Sequence, residues 1–169
     1  MSIFTKRKGA KPESRSRASG IVQGAAPGND AQRLLDALVM MVDDDPVILE
    51  VTQVQLEAAG YRRFLSTTEP REALALMKEK RPDVLLLDIK MPGMSGFEIL
   101  ERMEAENLLR DVSTIVLTSS GDAATKRQAL KLGATEFLTK PVDPSELALR
   151  VKNTLAAKAY WTGCWGAGK

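Results

Sequence analysis

The chain has 169 residues, of which 44% are apolar and 27% charged, a mix suited to one globular domain with a real core. It holds no histidine and one cysteine, Cys164, which excludes His-based acid–base catalysis, His metal ligands, a phosphohistidine on this chain and an internal disulfide framework. With no apolar run near the ~20 residues that cross a bilayer, no secretory h-region after the basic start MSIFTKRKGAKPESRSR and a net charge of +2, the composition predicts a cytoplasmic protein without membrane association or direct nucleic-acid binding.

Residues 1–36 read as a flexible basic tail. Lys6, Arg7, Lys8, Lys11, Arg15 and Arg17 stand against Glu13 and Asp30, which gives +4 over residues 1–30 and leaves about −2 for the remainder. A weak helical pattern spans 30–35. The ordered part, expected over 37–158, opens with the apolar run Leu38–Val42, a first strand that ends in Asp43, Asp44 and Asp45. Asp45-Pro46 is a helix start, with a capping carboxylate and a proline at the first helical position. Val47, Val51, Val54 and Ala58 then recur at helical spacing, and Gly60 is a stop. Arg62–Ser66 reads as a second strand. Pro70 opens a helix with Leu74 and Met77 facing inward. Val84–Leu87 is a third strand, followed by a helix over Phe97–Glu106 with Ile99, Leu100 and Met103. Thr114–Leu117 is a fourth strand, Asp122–Leu132 a helix closed by Gly133, and Glu136–Thr139 a fifth strand. A last helix starts at Asp143-Pro144 with Leu147, Val151 and Leu155 on one face.

Five strands thus alternate with five helices. VLLL and TIVL are apolar on successive residues, so both faces of those strands must be covered. This predicts an α/β fold: a doubly wound (βα)5 sandwich, flavodoxin-like, with a parallel sheet in the order 2-1-3-4-5.

In that order strands 1 and 3 are neighbours, so Asp43, Asp44 and Asp88 are expected to meet at the carboxyl edge of the sheet. Like charges that close stay partly protonated or bind a cation, and oxygen ligands without His or Cys point to Mg²⁺. Strand 4 brings Thr118 to the same edge, and strand 5 brings Lys140, just before Pro141, a candidate cis proline. A hydroxyl and an ammonium beside a magnesium-bound carboxylate suit a phosphoryl group, with Asp88 as its acceptor.

Four segments, VDDDP (Val42–Pro46), LLLDIKMPGMSG (Leu85–Gly96), IVLTSS (Ile115–Ser120) and FLTKPVD (Phe137–Asp143), together resemble the response regulator receiver domain of bacterial two-component signalling. The resemblance spans about Leu38 to Leu155. It implies a phosphorylation-dependent switch in which Asp88 accepts a phosphoryl group from a sensor histidine kinase or phosphotransfer protein. It further implies Asp44 as a direct magnesium ligand, Asp43 as one acting through water, and the backbone carbonyl of Lys90 in the same shell. Thr118 and Lys140 resemble the family's switch hydroxyl and lysine. Phe137 stands where the family has an aromatic that turns inward, more often Tyr, and small Ser119 leaves room for the phosphoryl group. Lys90 and Ser120 hold the two positions that flank the path of the hydrolytic water. The implied output is a changed surface on helix 4, strand 5 and helix 5, which is also a candidate homodimer face. Such a protein assists its own phosphotransfer and dephosphorylation without being a classical enzyme.

Two other readings stay open. One is a phosphate-independent, receiver-like adaptor. The other is a haloacid-dehalogenase-like phosphohydrolase, which would place D-x-D after strand one, whereas here Asp88 follows strand three and Lys90 stands two residues on. Leu149–Tyr160 resembles the linker helix that leads into cyclic-dinucleotide synthase output domains in some response regulators. Residues 159–169, ending WTGCWGAGK, read as an unstructured tail.

Overall fold

The computed structural model describes residues 32–165. The expected basic tail therefore lies outside the described residues up to position 31, and so do residues 166–169. Residues 32–35 are helical. The elements that follow are β1 (Leu38–Val42), α1 (Pro46–Ala58), β2 (Arg63–Thr67), α2 (Ala73–Lys80), β3 (Val84–Leu87), α3 (Gly96–Ala105), β4 (Ser113–Thr118), α4 (Ala123–Lys131), β5 (Glu136–Thr139) and α5 (Pro144–Trp165). The strands form one sheet in the order β2-β1-β3-β4-β5, with every pairing parallel. This is the doubly wound flavodoxin-like arrangement that the alternation predicts.

Side-chain alternation divides the core between the two faces of the sheet. Met40, Val42, Leu85, Leu87 and Val116 pack under α2, α3 and α4, meeting Leu74, Met77, Ile99 and Met103. Val39, Met41, Leu86, Ile115 and Leu117 pack under α1 and α5, meeting Leu49, Leu56, Leu147 and Val151. β3 is buried at all four positions, which is why its sequence carries no polar alternation.

Local chemistry sets the helix starts. Asp45 accepts from the Val47 amide at 2.9 Å at the head of α1. Ser95 and Glu98 form a reciprocal capping box on α3. Asp122 caps α4 through the amides of Ala124 and Thr125, at 3.0 and 2.9 Å.

Two elements differ from the sequence reading. The series Val47, Val51, Val54 does not face the core: these residues are 61%, 47% and 57% exposed, and Leu49, Thr52 and Leu56 are buried instead. The sequence PVILEVTQVQLEA is apolar on most sides, so spacing alone does not choose the inward face. At the other end, residues 159–165, expected as an irregular tail, continue α5 to Trp165. The alanines at 156, 157 and 159 favour helix, and they carry it past the edge of the sheet.

The loop from β3 to α3 fixes the residue at the strand tip. Gly93 has φ +78°, a backbone state that favours glycine. A Cβ on Gly96 would sit 2.2 Å from the Asp88 carbonyl oxygen, so the backbone passes where no side chain fits. Gly96→Ala is accordingly expected to lower stability by about 1–3 kcal/mol, the usual range for forced overpacking. Urea denaturation checks this, and an unchanged midpoint would contradict the close approach.

Candidate functional site at the carboxyl edge of the sheet

The parallel register brings the polar residues together at the edge where the strands run out. Val42 pairs with Leu87, so Asp43 and Asp88, one residue further on, stand side by side. The Asp88 amide donates to the Val42 carbonyl at 3.0 Å and keeps the two chains in step there. Thr118 is the last residue of β4 and pairs with Thr139, which puts Lys140 next at the tip of β5. The Lys140 amide donates to the Thr118 carbonyl at 2.9 Å, and the Lys140–Pro141 peptide bond is cis, as the sequence suggests.

One ammonium organises the cluster. Lys140 Nζ donates to Asp43 Oδ2 in a very short contact and to Asp88 Oδ1 at 3.1 Å. Asp43 and Asp88 are each only 6% exposed, while the Lys140 side chain keeps 20%. Each carboxylate uses its other oxygen locally. Asp43 Oδ1 accepts from the Asp45 amide at 3.1 Å, and Asp88 Oδ2 from the Lys90 amide at 2.8 Å. Burial works against the Lys140 ammonium, but the hydrogen bond and charge of Asp43, joined by those of Asp88, outweigh it and raise its pKa above the ordinary lysine value.

Thr118 is completely buried, and its Oγ1 accepts from the Ser120 amide at 3.3 Å. The Ser120 hydroxyl donates to Asp122 Oδ2 at 2.9 Å, so it is tied to the cap of α4. Ser119 is exposed. Asp122 is held well below the usual carboxylate range, first by the Thr125 hydroxyl and amide, then by the Ser120 hydroxyl. Its cap is complete above pH 3.8 and is lost only as pH falls through the depressed value. The Lys90 side chain is exposed; its backbone amide holds Asp88. Phe137 is half-buried and packs against the core beneath α2–α4.

The expected meeting of three carboxylates is reduced to two. Asp43 and Asp88 share Lys140, but Asp44 is exposed, and no group of three Asp, Glu, His or Cys suited to a metal forms among the described residues. The donor set still fits a hard cation. Asp43 and Asp88 offer carboxylate oxygens alone, with no His or Cys beside them among the described residues, and against Lys140 they leave a formal charge of −1.

The comparisons with known proteins agree with this geometry. The model of the response regulator receiver domain matches residues 39–152. The chain belongs to the response regulator receiver family. The phosphate regulon transcriptional regulatory protein PhoB of Pseudomonas aeruginosa is 38% identical over 117 residues, covering 69% of this chain and 51% of that protein. RpaA of Synechocystis, named a DNA-binding dual master transcriptional regulator, is 32% identical over 117 residues, 69% of this chain and 48% of its own. This chain thus spans about half the length of these curated relatives. The crystal structure of a CheY-like receiver domain protein from Methanospirillum hungatei superposes with a TM-score of 0.67 at 29% identity, over 74% of this chain and 98% of that one. The protein therefore carries the receiver domain of a two-component response regulator, a family that generally uses Mg²⁺ for phosphorylation. Among the described residues no helix is long and apolar enough to cross a membrane.

Lys140→Met would leave the buried Asp43 and Asp88 facing each other without a counter-ion. We expect a loss of about 2–3 kcal/mol at neutral pH, below the ~3–5 kcal/mol typical of fully buried pairs because Lys140 is partly exposed. Adding Asp43→Asn should restore much of it in urea titrations. Simple additivity of the two losses would contradict a shared counter-ion.

Proposed function

We propose that this receiver is a phosphorylation-dependent switch in which Asp88 accepts a phosphoryl group from a sensor histidine kinase or phosphotransfer protein. The observation that carries it is the Asp43–Lys140–Asp88 constellation beside the buried Thr118 hydroxyl. One Asp88 carboxylate oxygen attacks phosphorus, the bond between phosphorus and the donor's imidazole nitrogen breaks, and the imidazole leaves with a proton. Lys140 is held charged and can pass from Asp88 to an oxygen of the incoming group, so charge is compensated as it arrives. Asp43, Asp44, Asp88 and the Lys90 carbonyl would hold Mg²⁺, which when bound neutralises phosphoryl oxygens.

The donor reaches this edge over α1. An open groove of about 370 Å³ runs between α1 and the start of α5, lined by Ile48, Val51, Thr52, Lys140, Pro141 and Leu147. The exposed valines of α1 extend that apolar surface, and α1 itself carries no basic residue. A helical donor surface that presents its phosphohistidine at the Lys140 end fits this face.

Once Asp88 is modified, the Thr118 hydroxyl turns from the Ser120 amide to the phosphoryl group, and Phe137 fills the space that it vacates. The changed surface is α4–β5–α5, where Leu130 and Leu149 are exposed and Arg150 pairs with Glu136 at 3.5 Å. A second copy of the chain docks on that surface. Exposed Lys90, lying against the phosphoryl oxygens, slows hydrolysis, while Ser120, bound to Asp122, holds no water there.

Incubation with Mg²⁺ and a small phosphodonor such as acetyl phosphate should label wild type, with a bond stable in acid and labile in base, and leave Asp88→Asn unlabelled. Equal labelling of both proteins would overturn Asp88 as acceptor. An unlabelled wild type would favour a phosphate-independent adaptor.

A further inference from the structure

The floor of the sheet, opposite Asp88, holds a second ionic contact that none of the site chemistry uses. α5 has 22 residues, about 33 Å at 1.5 Å per residue, against strands of four to six residues. Its last side chain in the core is Leu155. One turn later Lys158 reaches back, its Nζ 3.0 Å from the Asp83 carbonyl oxygen and 3.7 Å from Asp83 Oδ1.

Asp83 sits where three strands begin. Its Oδ2 accepts from the Leu38 amide at 2.8 Å, and its own amide donates to the Leu38 carbonyl at 2.9 Å. Its carbonyl also accepts from the Ser113 amide at 3.4 Å. β1, β3 and β4 are therefore joined at the residue that Lys158 grips. Two clefts flank the contact, one of about 560 Å³ reaching Met77 and Leu108, the other of about 250 Å³ reaching Leu34 and Ala37. Lys158 and Asp83 line both.

We propose that the Lys158–Asp83 contact is a clasp that fixes the direction in which α5 leaves the receiver. It makes the overhanging turns one rigid body with the sheet, so that whatever engages them meets a set angle. The inference rests on the reading that α5 belongs to the output surface. Apolar packing cannot do this work, because beyond Leu155 the helix has no buried side chain among those described. Nor is the clasp chiefly a stabilising device. Burial lowers the Lys158 pKa despite the opposing charges of Asp83 and Asp111, so desolvation outweighs the attraction. What survives that cancellation is geometry: a short, directional bond at one point along the helix.

The test compares wild type, Lys158→Met, Lys158→Arg and Asp83→Asn by amide hydrogen exchange. Lys158→Met keeps the aliphatic stem and should leave the urea midpoint and the exchange of residues 147–155 as in wild type. Amides of 156–165 should exchange at least fivefold faster. Asp83→Asn keeps the backbone carbonyl that Lys158 bonds at 3.0 Å and loses only the longer carboxylate contact, so its exchange at 156–165 should rise by less than in Lys158→Met, and Lys158→Arg should match wild type. Unchanged exchange at 156–165 in Lys158→Met would overturn the clasp, and so would an equal increase along all of α5. Labelling of Asp88 by acetyl phosphate is read in the same samples. Its loss in every protein, wild type included, would count against the phosphoacceptor reading and leave the clasp result standing.

Discussion

Two buried carboxylates at the end of a hydrophobic sheet need a cation, and Lys140 supplies it. Desolvation would make Asp43 and Asp88 costly neighbours, since each has lost nearly all contact with water. The ammonium between them turns that cost into a poised arrangement. It is bonded to both acids, and its position is set by the tip of β5. The fold serves this juxtaposition: the parallel register sets Asp43 beside Asp88, and the pairing of β4 with β5 brings Lys140 to the same edge, its amide bonded to the Thr118 carbonyl.

The same arrangement explains how the site can change state. On the proposed reading Lys140 keeps Asp43 as a partner while its contact to Asp88 passes to an incoming phosphoryl oxygen, so the ammonium is never left unpaired. The Thr118 hydroxyl is held by a single local bond, its oxygen accepting from the Ser120 amide at 3.3 Å. On the same reading these are the bonds that a phosphoryl group on Asp88 displaces. The scaffold beneath them is fixed by apolar packing on both faces of the sheet.

Much of this was legible in the residues. VLLL and TIVL announce two-sided burial, and acids or hydroxyls directly after apolar runs mark one edge of a parallel sheet. What spacing could not reveal was the choice between two apolar faces of α1. Val47, Val51 and Val54 have as good a period as Leu49, Thr52 and Leu56, and only packing against the sheet decides which turns inward. Nor could spacing reveal that Lys140 bridges Asp43 and Asp88 while Asp44 stays exposed, since those contacts join residues 97 and 52 positions apart. The tail after Tyr160 misleads because its Trp and Gly residues suggest irregular chain, while the alanines before it propagate the helix. The Lys158–Asp83 contact links residues 75 positions apart and leaves no local signature.

The central claim is that Lys140 is a shared counter-ion handed to the incoming group. A crystal structure of the protein with beryllofluoride and Mg²⁺ tests it most directly. The account predicts the fluoride group on Asp88, with Lys140 Nζ and Thr118 Oγ1 each within about 3.2 Å of a fluorine. A beryllofluoride group on Asp88 with Lys140 still bonded to the two carboxylates alone, or no group on Asp88 at all, would contradict it.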